Sequence, residues 1–234
     1  MNILSLDTTS MTLSCAITNG YESIAEFSLF TDKTHSERMM PLIDSILTSA
    51  GINITDIDYY ACTVGPGSFT GLRIGISTIK GLAYANGKKV VAVSSLDALC
   101  ENVPHSKYDI CPLIDARKSE VFAAFYKRAA GEGEYAGEVA SKSDECNVTP
   151  AELVKRIKKK TIFLGNGARL YKDTLKNELK DKAIFVPDEL NYIKALNVAK
   201  IATRLINEKR AVAPEMLLPV YIRESDAVIN LKKK

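Results

Sequence analysis

The sequence predicts an α/β fold built from two lobes of similar construction. Strand-like and helix-like segments alternate through the 234 residues, as they do when helices cover parallel strands. The second half also begins as the first does, because residues 6–13 and 114–121 both show a strand, an aspartate, a polar turn and a strand. We interpret the repetition as a duplication, with Asp7 and Asp115 at equivalent first turns. Coincidence is the alternative, since β-turn-β units are common.

The first half predicts strands at residues 2–7, 12–18 and 21–28, a helix from Thr34 to Gly51, a strand at 59–64, a helix ending near Asn86, and a strand at 89–93. Asn19-Gly20 is a strong hairpin signal between the second and third strands. Thr34 and Glu37 have the spacing of a capping box at the start of the first helix. Pro41 is expected to kink that helix.

The second half predicts strands at 109–115 and 120–126, a polar loop at 131–138, a helix from 150 to about Lys159, a strand at 161–164, a helix after Gly167, a strand at 183–186, and a long helix at 194–209. The run Thr149-Pro150-Ala151-Glu152 combines an N-cap, a proline at N1 and a reciprocal glutamate. We expect one lobe to contain residues 1–103 with about 210–234, and the other to contain 104–209.

Composition favours a cytoplasmic protein with no membrane segment. No apolar run approaches the roughly 18 residues of a membrane span, and the first residues lack a basic region and cleavage site. The five cysteines are scattered and never form a Cys-x-x-Cys pair, which indicates neither zinc nor a disulfide framework. The net charge of +3 does not indicate a nucleic-acid surface. The lysines at 155–160 and 232–234 are interpreted as a solvated helix face and a tail.

A glycine-rich run from Gly65 to Gly75 is the most informative segment of the chain. It follows an apolar strand and opens a helix, and its glycines admit backbone conformations that a Cβ would forbid. A strand, a glycine bend and a helix N-terminus together form the usual geometry for binding an anion. A tight turn with nothing bound is the alternative, because the run matches neither a Walker loop nor the dinucleotide fingerprint.

Several motifs, taken in order, resemble the TsaB family, also called YeaZ. They are Ile3-Leu4-Ser5-Leu6-Asp7-Thr8-Thr9, His35-Ser36-Glu37, the run from Gly65 to Gly75, Lys80-Gly81-Leu82-Ala83-Tyr84, Ile114-Asp115-Ala116-Arg117 and Pro219-Val220-Tyr221-Ile222-Arg223. The resemblance is weakest at about residues 127–180. It implies a two-lobe actin/Hsp70-like ATPase fold and a place in the complex that makes N6-threonylcarbamoyladenosine in tRNA.

The resemblance also implies where catalytic residues are absent. In the related catalytic subunit, TsaD, a His-x-x-x-His metal pair follows the corresponding strand, and a spacing of four places both rings on one helical face. Here the two positions hold Ser95 and Leu99, and the chain's two histidines are His35 and His105. We therefore expect no metal site and no catalytic residue in this chain.

Nucleotide binding is a further expectation that the resemblance raises. Actin-like folds hold phosphates at a glycine-containing turn after the first strand of each lobe, yet both turns here lack glycine. Hydroxyl groups could still meet a phosphate, and Asp7 could hold hydrated magnesium; equally, these residues cap a turn. The candidate residues for ATP or ADP with magnesium are Asp7, Thr8, Thr9, Asp115, Gly165 and Gly167.

The two helices of the first half offer apolar surface for a partner. Apolar residues of the first helix cover about 160°, wider than the ~100° stripe that one core contact requires. The second helix carries many small residues, whose helix-propensity cost of up to about 1 kcal/mol per glycine implies close approach of another backbone. Burial within the chain's own lobe is the alternative. The candidate interface residues are Met39, Met40, Leu42, Ile43, Ile46, Leu47, Gly71, Leu72, Gly75, Ile76 and Ile79.

By resemblance, these helices pair with their counterparts in a TsaD-like catalytic subunit as a heterodimer. The expected role is a noncatalytic scaffold that activates this subunit, with a TsaE-like ATPase joining the larger complex, tRNA bound through the complex, and a homodimer forming when the chain is alone. An autonomous actin-fold ATPase or phosphotransferase is the main alternative, because of the two aspartate turns. A metallopeptidase is a third reading, which the missing histidine pair opposes.

Overall fold

A computed structural model describes residues 1–30, 35–129 and 138–223. By its internal contacts the chain divides into two compact units. The first contains Met1–Ala98 and Ile193–Val220, and the second contains, of the described residues, Leu99–Tyr192 and 221–223. No helix in these described ranges is both long enough and apolar enough to cross a bilayer.

The helices and strands follow one another in the order that alternation predicts. The first part contains β1 (Asn2–Asp7), β2 (Thr12–Asn19), β3 (Glu22–Phe30), α1 (His35–Ala50), β4 (Tyr59–Gly65), α2 (Phe69–Ala85), β5 (Lys89–Ser94) and α3 (Ser95–Cys100). It is followed by β6 (Asp109–Arg117), β7 (Glu120–Ala123), β8 (Tyr126–Arg128), β9 (Val139–Lys142), β10 (Cys146–Val148), α4 (Pro150–Arg156), β11 (Thr161–Leu164), α5 (Asn166–Leu170), α6 (Lys172–Leu179), β12 (Ala183–Phe185) and α7 (Ala195–Asn207).

The two sheets share one topology. In the first unit the strand order is β3-β2-β1-β4-β5, and in the second the corresponding path is β10-β7-β6-β11-β12. In each, an antiparallel hairpin precedes a parallel strand, since β1 pairs with β4 and β6 with β11 in parallel. The predicted duplication is therefore present in the fold. β8 and β9 are additions to the second sheet.

The core of the first unit lies between its sheet and helices α1 and α2. Every residue of β1 from Ile3 onward is buried, because the central strands of the sheet are covered on both faces. Side chains of α1 and α2 pack with those of β1, β2 and β4 in one apolar cluster. Asn19-Gly20 forms the predicted hairpin, with Gly20 at φ +59°.

Helix α7 packs against the first sheet, whereas the sequence assigns residues 193–209 to the second lobe. Hydrogen bonds show why: the Ser5 hydroxyl donates to the Ala195 carbonyl oxygen at 2.8 Å, and the Ala195 amide donates to Ser14 Oγ at 2.9 Å. The face of α7 that includes Val198 and Ala202 is buried. Proximity in sequence to β12 does not predict this placement.

Four smaller expectations differ from the structure or fall outside it. Helix α4 ends at Arg156, before the predicted Lys159, although its capping box at Thr149 is confirmed. The predicted strand 120–126 is two strands, β7 and β8, which pair at different places on β6. Thr34 of the first capping box and most of the predicted loop 131–138 lie outside the described residues.

Candidate functional site

The first turn, which follows β1, is closed around the Asp7 carboxylate. Asp7 Oδ1 accepts hydrogen bonds from Thr9 Oγ1 and Thr63 Oγ1, both at 2.7 Å, and from the Thr9 amide at 3.3 Å. Asp7 Oδ2 has no partner among the residues that the structure describes. Asp7, Thr8 and Thr9 are at most 2% exposed. The turn is thus a buried polar network supported by β4.

Burial raises the pKa of the Asp7 carboxyl above its ordinary value. Removing a carboxylate from water penalises its charged form, and this effect exceeds the opposing one of the hydrogen bonds from Thr63 and Thr9.

Glycines of the run from Gly65 to Gly75 allow this turn to pack closely against helix α2. A Cβ on Gly71 would overlap the Thr8 carbonyl oxygen, and one on Gly75 would overlap the Thr8 hydroxyl. A Cβ on Gly67 would lie 2.7 Å from the Cβ of Thr9. Thr8 Oγ1 donates to the Gly71 carbonyl oxygen at 2.8 Å. The close approach that the sequence predicts is therefore made by the chain's own first turn.

The second unit repeats this arrangement with different contacts. Gly165, at φ +103°, and Gly167 lie so close to β6 that a Cβ on either would crowd the Leu113 carbonyl group. The Gly165 amide donates to Asn191 Oδ1 at 2.8 Å, and Asn166 Oδ1 accepts from the Asp115 amide at 3.0 Å. Gly165 and Gly167 are both buried.

Asp115 differs from Asp7 because it faces water and its own turn. Its side chain is 14% exposed, its Oδ1 accepts from the Arg117 amide at 2.8 Å, and its Oδ2 lies 3.5 Å from the Arg117 guanidinium. Arg117, Lys118 and Ser119 all have positive φ, so a non-glycine turn is held in the left-handed region. Asp7 and Asp115 thus occupy equivalent positions in the two sheets, but Asp7 is fully buried and Asp115 is partly exposed.

These candidate residues pack closely against their own unit. A phosphate binds to exposed N–H groups in a concave turn; here Gly71 of helix α2 lies against the Thr8 carbonyl oxygen, and Gly165 lies against the Leu113 carbonyl oxygen of strand β6. A magnesium ion at Asp7 would have one free carboxylate oxygen, since Oδ1 already accepts three hydrogen bonds. We assign no chemical step to a nucleotide on this chain.

The positions aligned with metal ligands are part of the protein interior. Ser95 and Leu99 are at most 1% exposed. His35 Nε2 lies 2.8 Å from the Ser10 carbonyl oxygen, and His105 is exposed. In the described ranges no three His, Cys, Asp or Glu side chains are grouped as metal ligands would be.

Most of the predicted interface residues lie in the core of the first unit. Nine of the eleven are buried, while Met40 is 51% exposed and Leu47 is intermediate. The buried set is Met39, Leu42, Ile43, Ile46, Gly71, Leu72, Gly75, Ile76 and Ile79. The wide apolar arc of α1 faces β2 and β3 as well as α2, which explains its width without a partner.

Helix α2 nevertheless has a solvent-facing stripe that the sequence does not single out. Arg73, Ser77, Gly81 and Tyr84 are all exposed, and steps of four, four and three residues place them on one side of the helix. Tyr84 is 79% exposed, and a Cβ on Gly81 would meet nothing within 4 Å. Tyr84 appears among the motifs quoted above, but its exposure depends on which face of α2 meets the sheet.

Comparison with known families gives one match over most of the chain. The family model described as TsaD: tRNA N6-adenosine threonylcarbamoyltransferase matches residues 29–231. Two curated relatives are named tRNA threonylcarbamoyladenosine biosynthesis protein TsaB. The one from Escherichia coli (strain K12) is 31% identical over 100% of both chains. The one from Bacillus subtilis (strain 168) is 30% identical over 97% of this chain and 96% of its own.

Solved structures show the same fold. YeaZ from Pseudomonas aeruginosa is 25% identical, with a TM-score of 0.78 over 94% of this chain and 99% of that chain. A protein from the same organism, described as uncharacterized with similarity to peptidase YEAZ, has a TM-score of 0.79 at 24% identity over 95% and 99% of the two chains. The actin-like α/β fold is thus shown by likeness as well as by topology.

Proposed function

The chain belongs to the TsaB family, and on that premise we propose that it serves tRNA threonylcarbamoyladenosine synthesis as a noncatalytic scaffold. In this proposal it binds a TsaD-like catalytic subunit and stabilises the competent state of that subunit. A scaffold acts in this way when it has higher affinity for one conformation of its partner than for the other.

The filled first turn is the observation that carries the proposal. Asp7, Thr8 and Thr9 occupy the place where the fold meets phosphate, and they are tied to Thr63, Gly71 and one another instead. Chemistry that needs a bound phosphate is therefore better supplied by the partner. This chain contributes a rigid unit whose helices α1 and α2 are fixed against its sheet.

The exposed stripe of α2 is the surface we propose for the partner. A row with Ser77 and Gly81 lets another helix approach closely, and Tyr84 at its end supplies a large apolar ring with a polar tip. Aromatic residues of this kind frequently dominate binding energy at interfaces. Met40 adds a flexible thioether on α1.

Co-purification with the catalytic subunit tests the interface. We expect Tyr84→Asp to abolish the complex, because a carboxylate cannot be desolvated in place of the ring. Tyr21→Asp is the matched control, since Tyr21 is 65% exposed at the β2–β3 turn. Both variants should unfold at the wild-type urea concentration. A stable complex with Tyr84→Asp would reject this surface.

Two further parts of the assembly follow from the same proposal. A TsaE-like ATPase joins the complex of the two subunits, and tRNA is bound through it. Without its partner, the chain forms a homodimer through the same stripe of α2, which sedimentation at increasing concentration would detect. If the chain is monomeric at all concentrations, the stripe of α2 does not bind a second copy and serves only a different protein.

A further inference from the structure

Lysines precede all three parallel strands of the second sheet. Lys107 stands two residues before β6, Lys160 directly precedes β11, and Lys182 directly precedes β12. The register pairs Thr161 with both Asp109 and Ala183, so these strands start side by side. The amino ends of parallel strands meet at one edge, which therefore collects positive charge from three distant segments.

A cleft of about 380 Å³ lies at this edge. It is lined by Lys107, Tyr108, Asp109, Lys127, Lys159 and Lys160. Lys127 reaches the cleft from β8, which pairs with β6 through Tyr126 and Ile110. The Lys107 ammonium lies 5.3 Å from the centre of the Tyr108 ring. We name this set the lysine cleft.

The end of helix α4 explains why the sequence alone does not reveal the lysine cleft. A helix to Lys159 would display residues 155–160 around its circumference as a solvated face. Helix α4 ends at Arg156 and Ile157 is buried, so Lys158–Lys160 leave the helix and continue into β11. Lys159 and Lys160 are thereby delivered to the strand edge with Lys107 and Lys127.

The lysine cleft is strongly positive. Four ammonium groups line it with one carboxylate, that of Asp109. All four lysines are exposed, and within the described ranges none of them forms an ion pair. Four positive charges with one negative charge among them repel one another, and a polyanion relieves that repulsion by replacing condensed small ions.

We propose that the lysine cleft binds the phosphate backbone of RNA, an inference that rests on the proposed role in tRNA modification. Neighbouring strands lie about 4.8 Å apart, so the sheet edge that carries the lysine cleft extends about 10 Å from the start of β6 to that of β12, where Lys182 stands, and this length spans more than one phosphate. Tyr108 adds a ring on which a base stacks. The lining has no aliphatic side chain to insert into a membrane, which favours RNA over an anionic lipid surface.

The lysine cleft is separate from the first turns. Asp109 is the first residue of β6 and Asp115 follows six residues later, so they lie about 20 Å apart at ~3.3 Å per residue. Substitutions in the cleft therefore leave the aspartate turn and its glycine neighbours untouched. They also lie in the second unit, whereas helix α2 belongs to the first.

A pair of double variants tests the proposal. Lys159→Gln with Lys160→Gln removes two charges just before β11, and Lys88→Gln with Lys89→Gln removes two at the start of β5 in the first unit. Affinity for an unmodified tRNA transcript is measured by fluorescence anisotropy against salt concentration, with the full chain alone and with the complex. The cleft variant should bind at least about tenfold more weakly and reduce the salt slope by about two. The control should match wild type.

Three results would overturn the proposal: wild-type affinity and slope in the cleft variant, an equal loss in the control, or lysine-dependent binding to phosphatidylserine vesicles without binding to tRNA. Co-elution of each variant with the catalytic subunit is measured in parallel. If the wild-type chain does not co-elute, the proposed scaffold function fails, whereas the tRNA measurements on the chain alone still decide the role of the cleft.

Discussion

At the scale of single residues, the glycines of α2 have two different environments. Those packed against the first turn are needed because a side chain there would overlap Thr8. Gly71 and Gly75 face Thr8, whereas Gly81 on the same helix faces open space. The three positions thus have different physical roles although they are the same residue type on one helix. One role is close packing within the chain, and the other is an open surface.

Alanine substitutions separate these roles. Gly71→Ala should lower the free energy of unfolding by at least about 1–3 kcal/mol, because the new methyl group overlaps the Thr8 carbonyl oxygen. Gly81→Ala should raise it by up to about 1 kcal/mol, because alanine is the better helix former where space is open. Urea titration measures both. Equal stability of the two variants would mean that Gly71 is not packed against the turn.

The Asp7 carboxyl predicts an unusual pH dependence of stability. Its pKa is raised in the folded protein, so the folded state holds a proton that the unfolded state releases. Its contribution is present below the ordinary aspartate pKa and is lost as the pH rises through the raised value. Relative to Asp7→Asn, the wild-type protein should therefore lose stability as the pH rises from about 4.

Glu152 provides a control of opposite sign. Hydrogen bonds from the Thr149 amide and hydroxyl lower its pKa, so its contribution is present above the ordinary glutamate pKa and is lost as the pH falls through the lowered value. Relative to Glu152→Gln, the wild-type protein should gain stability as the pH rises toward the ordinary glutamate pKa and change little above it, whereas relative to Asp7→Asn it loses stability as the pH rises from about 4. Parallel trends in the two comparisons would contradict the assignment for Asp7.

At the scale of elements, helices α1 and α2 each have a core face and a solvent face. Ile76 is 5% exposed within the apolar cluster, and Met40 is 51% exposed on α1. A sequence pattern shows that both are apolar without showing which face meets the sheet. Partner binding must therefore be tested at exposed positions, because changes at the buried ones would also destabilise the unit.

Alanine substitutions at Ile76 and Met40 test which of the two side chains lies in the core. Ile76→Ala should lower the free energy of unfolding by about 2–5 kcal/mol, because it leaves a cavity in the apolar cluster of the first unit. Met40→Ala should change it by no more than about 0.5 kcal/mol, because an exposed thioether has few neighbours to lose. Thermal or urea unfolding of the purified chain provides the measurement. A large loss with Met40→Ala would place that side chain in the core.

The elements themselves were largely predictable from local signals. Periodicity, the Asn19-Gly20 turn and the Thr149 capping box depend on residues close in sequence, and the structure confirms them. The contacts of Gly71 with Thr8 and of Ala195 with Ser5 join segments far apart in the chain. Spacing alone could indicate a close approach to α2, but not which backbone makes it.

At the scale of the whole molecule, a duplicated actin-like fold has one first turn filled by its own helix and the other held in a strained turn. Among the candidate nucleotide residues, Thr8 hydrogen-bonds to Gly71 of helix α2 and Gly165 hydrogen-bonds to Asn191. The first unit presents the stripe of α2, and the second presents the lysine cleft. We propose that both are binding surfaces and that the partner catalyses the reaction.

Transfer of the threonylcarbamoyl group to tRNA, measured with purified subunits, tests that assignment most directly. The account predicts no transfer by this chain alone, little by the catalytic subunit alone, and full activity when both are mixed. The Tyr84→Asp chain should fail to restore activity, while the Tyr21→Asp chain succeeds. Transfer by this chain without the catalytic subunit, at the rate of the complex, would contradict the account.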